Sequence, residues 1–281
     1  MKKVLVPIDF SDLSKEAMKF AIEFCELIHG EITILHVLEI PMTDYSYTGE
    51  VGSSSIADFY THEYIDGLHK KLESWKEEYS SEAVPINLKM MYGNPYKKIT
   101  HYISEQNADL IVMGSSGTSG MMEVLVGSNA ERVVRHANCP VLIVQGETHI
   151  KAFKNLLFVT DASKEQDRLI DQVQNIQQLL GLNLHLLKVR THYNMKSDKE
   201  VKAEIEGFAK RNGLENYTVN TTSADYVEDG VLPFAEEIDA GVIIIGTHGR
   251  KGIAHLIGGS KAEDLVNAAK TPIMTLKIDP D

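Results

Sequence analysis

The residues of this chain best suited to chemistry by type and spacing are two sets of glycines. Gly114-Ser-Ser-Gly117 is followed after nine residues by Gly127-Ser128, and Gly246-Thr-His-Gly249 is followed after nine residues by Gly259-Ser260. The second set stands 132 residues after the first at all four marked positions. Glycine lets a backbone approach a ligand closely. A helix opening at Gly127-Ser128 or Gly259-Ser260 would present unpaired N–H groups and about half a positive charge, which suits phosphate. Serine hydroxyls add donors. One glycine loop before a helix is a weak signal. The same spacing twice in one chain is a stronger one.

An aspartate stands upstream of each set. Asp9 closes the apolar run Val4–Ile8, and Asp161 closes the run Leu156–Val159 one residue further on. Each could face a ligand or simply cap a helix and brace a turn. His248 in the second set reads as a phosphate contact or a solvated residue rather than an acid or base, because no carboxylate partner stands at useful spacing. The other histidines show no metal-ligand spacing, and no metal site is expected. Cys25 and Cys139 have no second thiol at redox or metal spacing, so both read as packed, reduced residues. No nucleophile elbow, Walker lysine or kinase set is present, and Gly259-Ser260-Lys261 is not Gly-Lys-Ser/Thr. No catalytic residue is assigned. The chain has groups for holding a phosphate and few for transferring one.

The elements that must position these residues alternate strand and helix. Val4–Ile8 reads as a buried strand, and Leu13, Ala17, Phe20, Ala21, Phe24 and Ile28 form a helical stripe that stops at Gly30. A second strand over Ile32–Leu38, a long helix carrying Leu68, Leu72 and Trp75, and a third strand over Ile86–Met91 follow. Pro95 can open the next helix, with Ile99, Tyr102 and Ile103 inward. Leu110–Met113, a helix from about Ser128 to His136 and the strand Val141–Val144 close the unit. Five strands with helical crossovers make an open parallel sheet. In such a sheet ligands bind beyond the carboxyl ends of the strands, where strand order reverses, between the first and fourth strands. Asp9 and Gly114, and again Asp161 and Gly246, end those strands.

The whole unit recurs. Cys139–Val144 matches Thr271–Leu276 at the same offset of 132, but Lys3–Asp9 matches Asn155–Asp161 at an offset of 152. The second copy is therefore about twenty residues shorter between its aspartate and its glycines. The Tyr45–Tyr60 region, rich in Ser, Gly and Tyr, is the natural place for the difference; Tyr45, Tyr47 and Tyr60 could form a lid there, although ordinary packing is the simpler reading. Two domains are expected, over residues 1–146 and 151–281, joined by a short linker. At 281 residues the length suits two domains of middling size. With 28 Lys and Arg against 40 Asp and Glu the formal charge is −12, which repels phosphate backbones and anionic lipid, so neither nucleic acid nor membrane is an expected partner. The opening apolar run is too short for a signal-peptide core and no membrane span is visible. The expected setting is cytoplasmic.

Gly-x2-Gly-x9-Gly-Ser/Thr, present in both halves, resembles the motif of nucleotide-binding members of the universal stress protein superfamily. The resemblance covers Val4–Val144 and Leu156–Leu276, as in a tandem two-domain member. It implies an α/β fold of two tandem doubly wound parallel five-stranded sheets, flavodoxin-like or adenine nucleotide alpha hydrolase-like. It also implies ATP as ligand, or ADP or AMP, with Mg²⁺ or Mn²⁺, in a stress-response role with at most slow hydrolysis. Carried over residue by residue, Asp9 and Val37 would lie at the adenine and ribose end of the first site, with Gly114, Gly117, Gly127 and Ser128 on the phosphates. The second site would use Asp161, Gly246, His248, Gly249, Arg250, Gly259 and Ser260. The halves depart from the pattern differently. The second keeps His248-Gly249-Arg250-Lys251, where the first has the uncharged Ser116-Gly117-Thr118-Ser119. The first keeps Leu35-His36-Val37-Leu38 and Gly93-Asn94-Pro95, where the second has Leu186-Leu187-Lys188-Val189 and Asp225-Tyr226-Val227. Phosphate thus has the better electrostatic case in the second half. The alternative is an interaction module that keeps the fold without the nucleotide. The apolar last strands should pair the two domains within one chain, the same edges by which the family forms dimers; a homodimer is the other partner to expect.

Overall fold

Strands buried on both faces read as nearly continuous apolar runs, and such runs build the centre of this protein. The computed structural model describes residues 2–39, 54–80, 82–115, 128–192, 196–247 and 269–278. The first half runs β1 (Lys3–Ile8), α1 (Asp12–Ile28), β2 (Glu31–Leu38), α2 (Ser54–Tyr79), β3 (Ile86–Tyr92), α3 (Pro95–Gln106), β4 (Leu110–Gly114), α4 (Ser128–His136) and β5 (Val141–Val144). The second runs β6 (Asn155–Val159), α5 (Ile170–Leu180), β7 (Asn183–Arg190), α6 (Asp198–Arg211), β8 (Tyr217–Ser223), α7 (Val227–Glu237), β9 (Ala240–Thr247) and β10 (Ile273–Lys277).

The strands form one ten-stranded sheet in the order β3-β2-β1-β4-β5-β10-β9-β6-β7-β8. Every pairing is parallel except β5 with β10, which is antiparallel, Ile273 opposite Ile143 and Thr275 opposite Val141. The two parallel sheets expected from the sequence are therefore one sheet, joined through the last strand of each half as those apolar edges foretold.

Alternation along each strand divides the core by face. Val4, Val6 and Ile8 point to the side covered by α1, α2, α5 and α6, where Phe24, Trp75, Val173 and Phe208 are buried. Leu5, Leu157 and Ile243 point to the side of α3, α4 and α7, with Ile103, Val133 and Phe234. Each of these two cores runs through both halves, because the β5–β10 junction leaves no gap in the sheet.

The helix starts follow local chemistry. Ser11 caps α1 by accepting from the Ser14 amide, and Asn94 caps α3, with Pro95 at its first turn. Ser197 and Glu200 close a reciprocal capping box on α6. The length difference between the halves is largely helical: α2 has 26 residues and α6 has 14. Tyr45 and Tyr47, and the side chain of Tyr60, lie outside the described residues.

Candidate functional site

Strand order reverses between β1 and β4 in the first half and between β6 and β9 in the second. The turn after β1 lies at the mouth of the first crevice. Asp9 Oδ1 accepts the Ser11 amide at 3.0 Å and the Ser14 hydroxyl at 2.8 Å, while the Asp9 amide donates to Ser14 Oγ at 3.2 Å. Between them Phe10 adopts a left-handed backbone with φ of 65°, an unfavourable conformation for a bulky residue. His36 on β2 is buried; its Nδ1 sits 2.9 Å from the Ile8 carbonyl and donates there as the Nδ1–H tautomer. Burial holds its pKa below the usual histidine value, so the ring is neutral near pH 7. Phe10 packs against His36 and edge-on against Trp75, with the Lys71 ammonium 4.2 Å from its ring centre. An open groove of about 680 Å³, lined by Asp9, Phe10, His36, Tyr64 and Lys71 among others, lies beside this cluster.

The turn after β6 has the same backbone and different side chains. Asp161 Oδ1 accepts the Ser163 amide at 2.9 Å, and the Asp161 amide donates to Gln166 Oε1 at 3.3 Å. Ala162 takes the left-handed conformation, with φ of 61°. Lys188, which the registers of β2 on β1 and of β7 on β6 set at the position of His36, one residue from the place opposite Val37 expected from the sequence, is 9% exposed; its ammonium donates to the Asp161 carbonyl at 2.7 Å and to Glu204 on α6 at 2.8 Å. Lys196 adds a second cation on Glu204. Burial alone would raise the Glu204 pKa, but Lys188 and Lys196 outweigh it and hold the carboxyl below its usual value. The place filled by neutral rings in the first half is filled in the second by an ion pair between a buried lysine and a half-buried glutamate.

Gly114, last in β4, and Gly246, last but one in β9, have packing reasons of their own. A Cβ on Gly114 would stand 2.8 Å from Leu13 Cβ and 3.0 Å from the Leu13 carbonyl carbon; on Gly246 it would stand 2.6 Å from Leu169 Cδ1. Absence of a side chain lets the start of the first helical segment cross the strand end, a second reason for glycine besides approach to a ligand. Val37 is half-buried at the carboxyl end of β2, paired with Met91 and packed on the face covered by α3. Ser128 opens α4. Asp9 with Gly114, and Asp161 with Gly246, thus stand at the ends of neighbouring strands. Gly117, Gly127, His248, Gly249, Arg250, Gly259 and Ser260, together with the side chain of Ser128, lie outside the described residues.

Residues that the sequence reading passed over are Phe10, Ser14, Lys71, Gln166 and Glu204. The one sequence signal among them belongs to Glu204: a lysine at position 188, directly after Leu186-Leu187, demands a carboxylate or carbonyl partner. Among the described residues no three His, Cys, Asp or Glu side chains are grouped to hold a metal, and no helix is long and apolar enough to cross a membrane. Cys25 and Cys139 are free thiols, each pushed up to about 12 by burial and therefore unreactive near neutrality.

Known proteins resemble this chain over its whole length. The sequence profile of the Universal stress protein family matches residues 1–145 and again residues 152–277. Universal stress protein MJ0531 of Methanocaldococcus jannaschii is 35% identical over 147 residues, covering 51% of this chain and 82% of that protein. Universal stress protein YxiE of Bacillus subtilis is 36% identical over 146 residues, 51% of this chain and 98% of that protein. The crystal structure of a universal stress protein from Archaeoglobus fulgidus superposes with a TM-score of 0.74 over 98% of both chains at 23% identity, a likeness of fold.

Proposed function

The chain belongs to the universal stress protein family, and from that premise we propose that it binds an adenine nucleotide and acts in stress response through nucleotide-dependent conformation or interactions. ATP is the first candidate, with ADP and AMP sharing its base and ribose contacts, and Mg²⁺ or Mn²⁺ would accompany the phosphates. The observation that carries this reading is a doubled switch point: in each half an aspartate follows the first strand and a glycine stands at the carboxyl end of the fourth, last in β4 and last but one in β9, across the crevice where strand order reverses. Asp9 and Val37 in the first half, and Asp161 in the second, take the base and ribose side. Gly114, Gly117, Gly127 and Ser128, and Gly246, His248, Gly249, Arg250, Gly259 and Ser260, take the phosphates. The β5–β10 pairing offers a rigid path by which occupancy of one half biases the other. Hydrolysis is at most slow, because positioned basic groups are sparse. The two unreactive thiols suit a reducing, cytoplasmic setting.

The test is to denature the purified protein, identify any released nucleotide, and titrate the emptied chain with Mg²⁺-ATP. About one equivalent is expected from one competent half and two from both, with Gly117→Val and Gly249→Val deciding which half contributes. Absence of both release and saturable binding refutes the proposal. The second reading, an interaction module without a nucleotide, draws on Gly114 and Gly246, whose close approach to Leu13 and Leu169 needs no ligand. A well-folded chain that binds no nucleotide favours it.

A further inference from the structure

Because β5 and β10 occupy each other's edges, the outer edges of the sheet are β3 and β8. In a parallel pair, alternate residues turn both backbone groups toward the neighbouring strand. The Ala224 amide donates to the Arg190 carbonyl, which fixes the even-numbered residues of β8 as facing β7 and leaves Tyr217, Val219, Thr221 and Ser223 directed outward. On β3 the Gly93 amide donates to Leu38 and the Pro85 carbonyl accepts from Ile32, leaving Ile86, Leu88, Met90 and Tyr92 outward. Outward backbone groups invite another strand unless charge or proline protects the edge. The β8 strand, Tyr-Thr-Val-Asn-Thr-Thr-Ser, carries neither.

We propose that the β8 edge binds the β8 edge of a second copy of this chain, antiparallel, about a two-fold axis through Asn220. That register places every outward residue opposite an outward residue: Tyr217 faces Ser223 and Val219 faces Thr221 as hydrogen-bonded pairs. Thr218 faces Thr222, and Asn220 faces its own mate, at the closer non-hydrogen-bonded positions. Thr–Thr and Val–Thr pairs suit adjacent strands. The same construction on β3 puts Lys89 against Lys89 at the closest approach, where like charges destabilise pairing. Charge therefore selects β8 over β3. Beyond the strand ends Glu215 comes opposite Asp225, whose carboxylate is already held by His192 at 2.6 Å. This exposed repulsion is screened by salt, so association tightens as ionic strength rises.

Sedimentation equilibrium of the full chain at micromolar concentrations tests the proposal, with a dimer expected that strengthens with added NaCl. Asn220→Lys, which gives β8 the protection β3 already has, raises the dissociation constant at least about tenfold. Asn220→Cys cross-links two chains under mild oxidation, because Cα atoms at such a pair lie about 4.5 Å apart, within disulfide reach. The cross-link also decides the matter should Asn220→Lys fold poorly. A chain that stays monomeric, or a dimer that Asn220→Lys leaves intact and Asn220→Cys does not cross-link, overturns the proposal.

Discussion

The turns after β1 and β6 meet one geometric demand with two sets of side chains. In both, the aspartate Oδ1 accepts the amide two residues on, the aspartate amide donates to the side chain five residues on, and the residue between is left-handed. In both, a residue of the second strand satisfies a carbonyl of the turn: His36 reaches Ile8, and Lys188 reaches Asp161 one residue later. The backbone is thus a property of the fold. The side chains decide what stands behind it, a neutral aromatic cluster beside an open groove in the first half and a lysine–glutamate pair in the second. A ligand entering the first half meets the rings of Phe10 and His36 together with the charged groups of Asp9, Glu63 and Lys71; one entering the second meets the Lys188–Glu204–Lys196 network.

The largest effect that sharpens this comparison is at the strand-end glycines. Gly114→Ala pushes a methyl into the backbone of Leu13 and should destabilise by about 3 kcal/mol, whereas Gly246→Ala meets the tip of a flexible leucine and should cost about 1 kcal/mol. Thermal melts of the two variants check the order, and equal losses would mean that both sites relax alike. Next is Glu204→Ala, which leaves the Lys188 ammonium buried with only the Asp161 carbonyl and should cost about 2 kcal/mol by denaturant titration. Lys188→Met together with Glu204→Leu should recover most of that loss, and a double variant no better than the single would break the account of the pair.

The smallest effect is in pH dependence. Burial depresses the His36 pKa from 6.5, so the unfolded chain binds the proton more readily. Its contribution to stability is complete above pH 6.5 and is lost as pH falls through the lower folded value. His185, also depressed by burial, adds a similar slope in the second half. Glu204, depressed from 4.5 by its lysines, contributes above pH 4.5 and is lost only below it. Stability measured between pH 7 and 5 should therefore decline in the native chain and decline less in His36→Gln, while Glu204→Ala alters the profile only at lower pH.

Much of the fold was legible because burial writes itself into residue types. Val141–Val144 and Ser128–His136 have the bounds that their apolar run and helical stripe required, and Asn94-Pro95 marked the start of α3. The repeat offset located Asp9 with Gly114 and Asp161 with Gly246. The partners of those residues were not legible: Ser14 and Gln166 are polar types common on surfaces that are buried here five residues past each aspartate, and Glu204 reaches Lys188 only because α6 packs beside β7. The extra length of the first half, expected over Tyr45–Tyr60, divides between the segment that follows β2 and helix α2, which begins at Ser54.

By itself the sequence determined two parallel α/β units, their repeat and the residues at each switch point, since periodicity, glycine and strand-ending aspartates are local properties. Only the tertiary structure decided that the units share one sheet and two continuous cores, that Gly114 and Gly246 sit against leucines, and that Lys188 fills the place of His36. Those outcomes depend on which distant groups come within a few ångströms of one another, and that distance is fixed by packing.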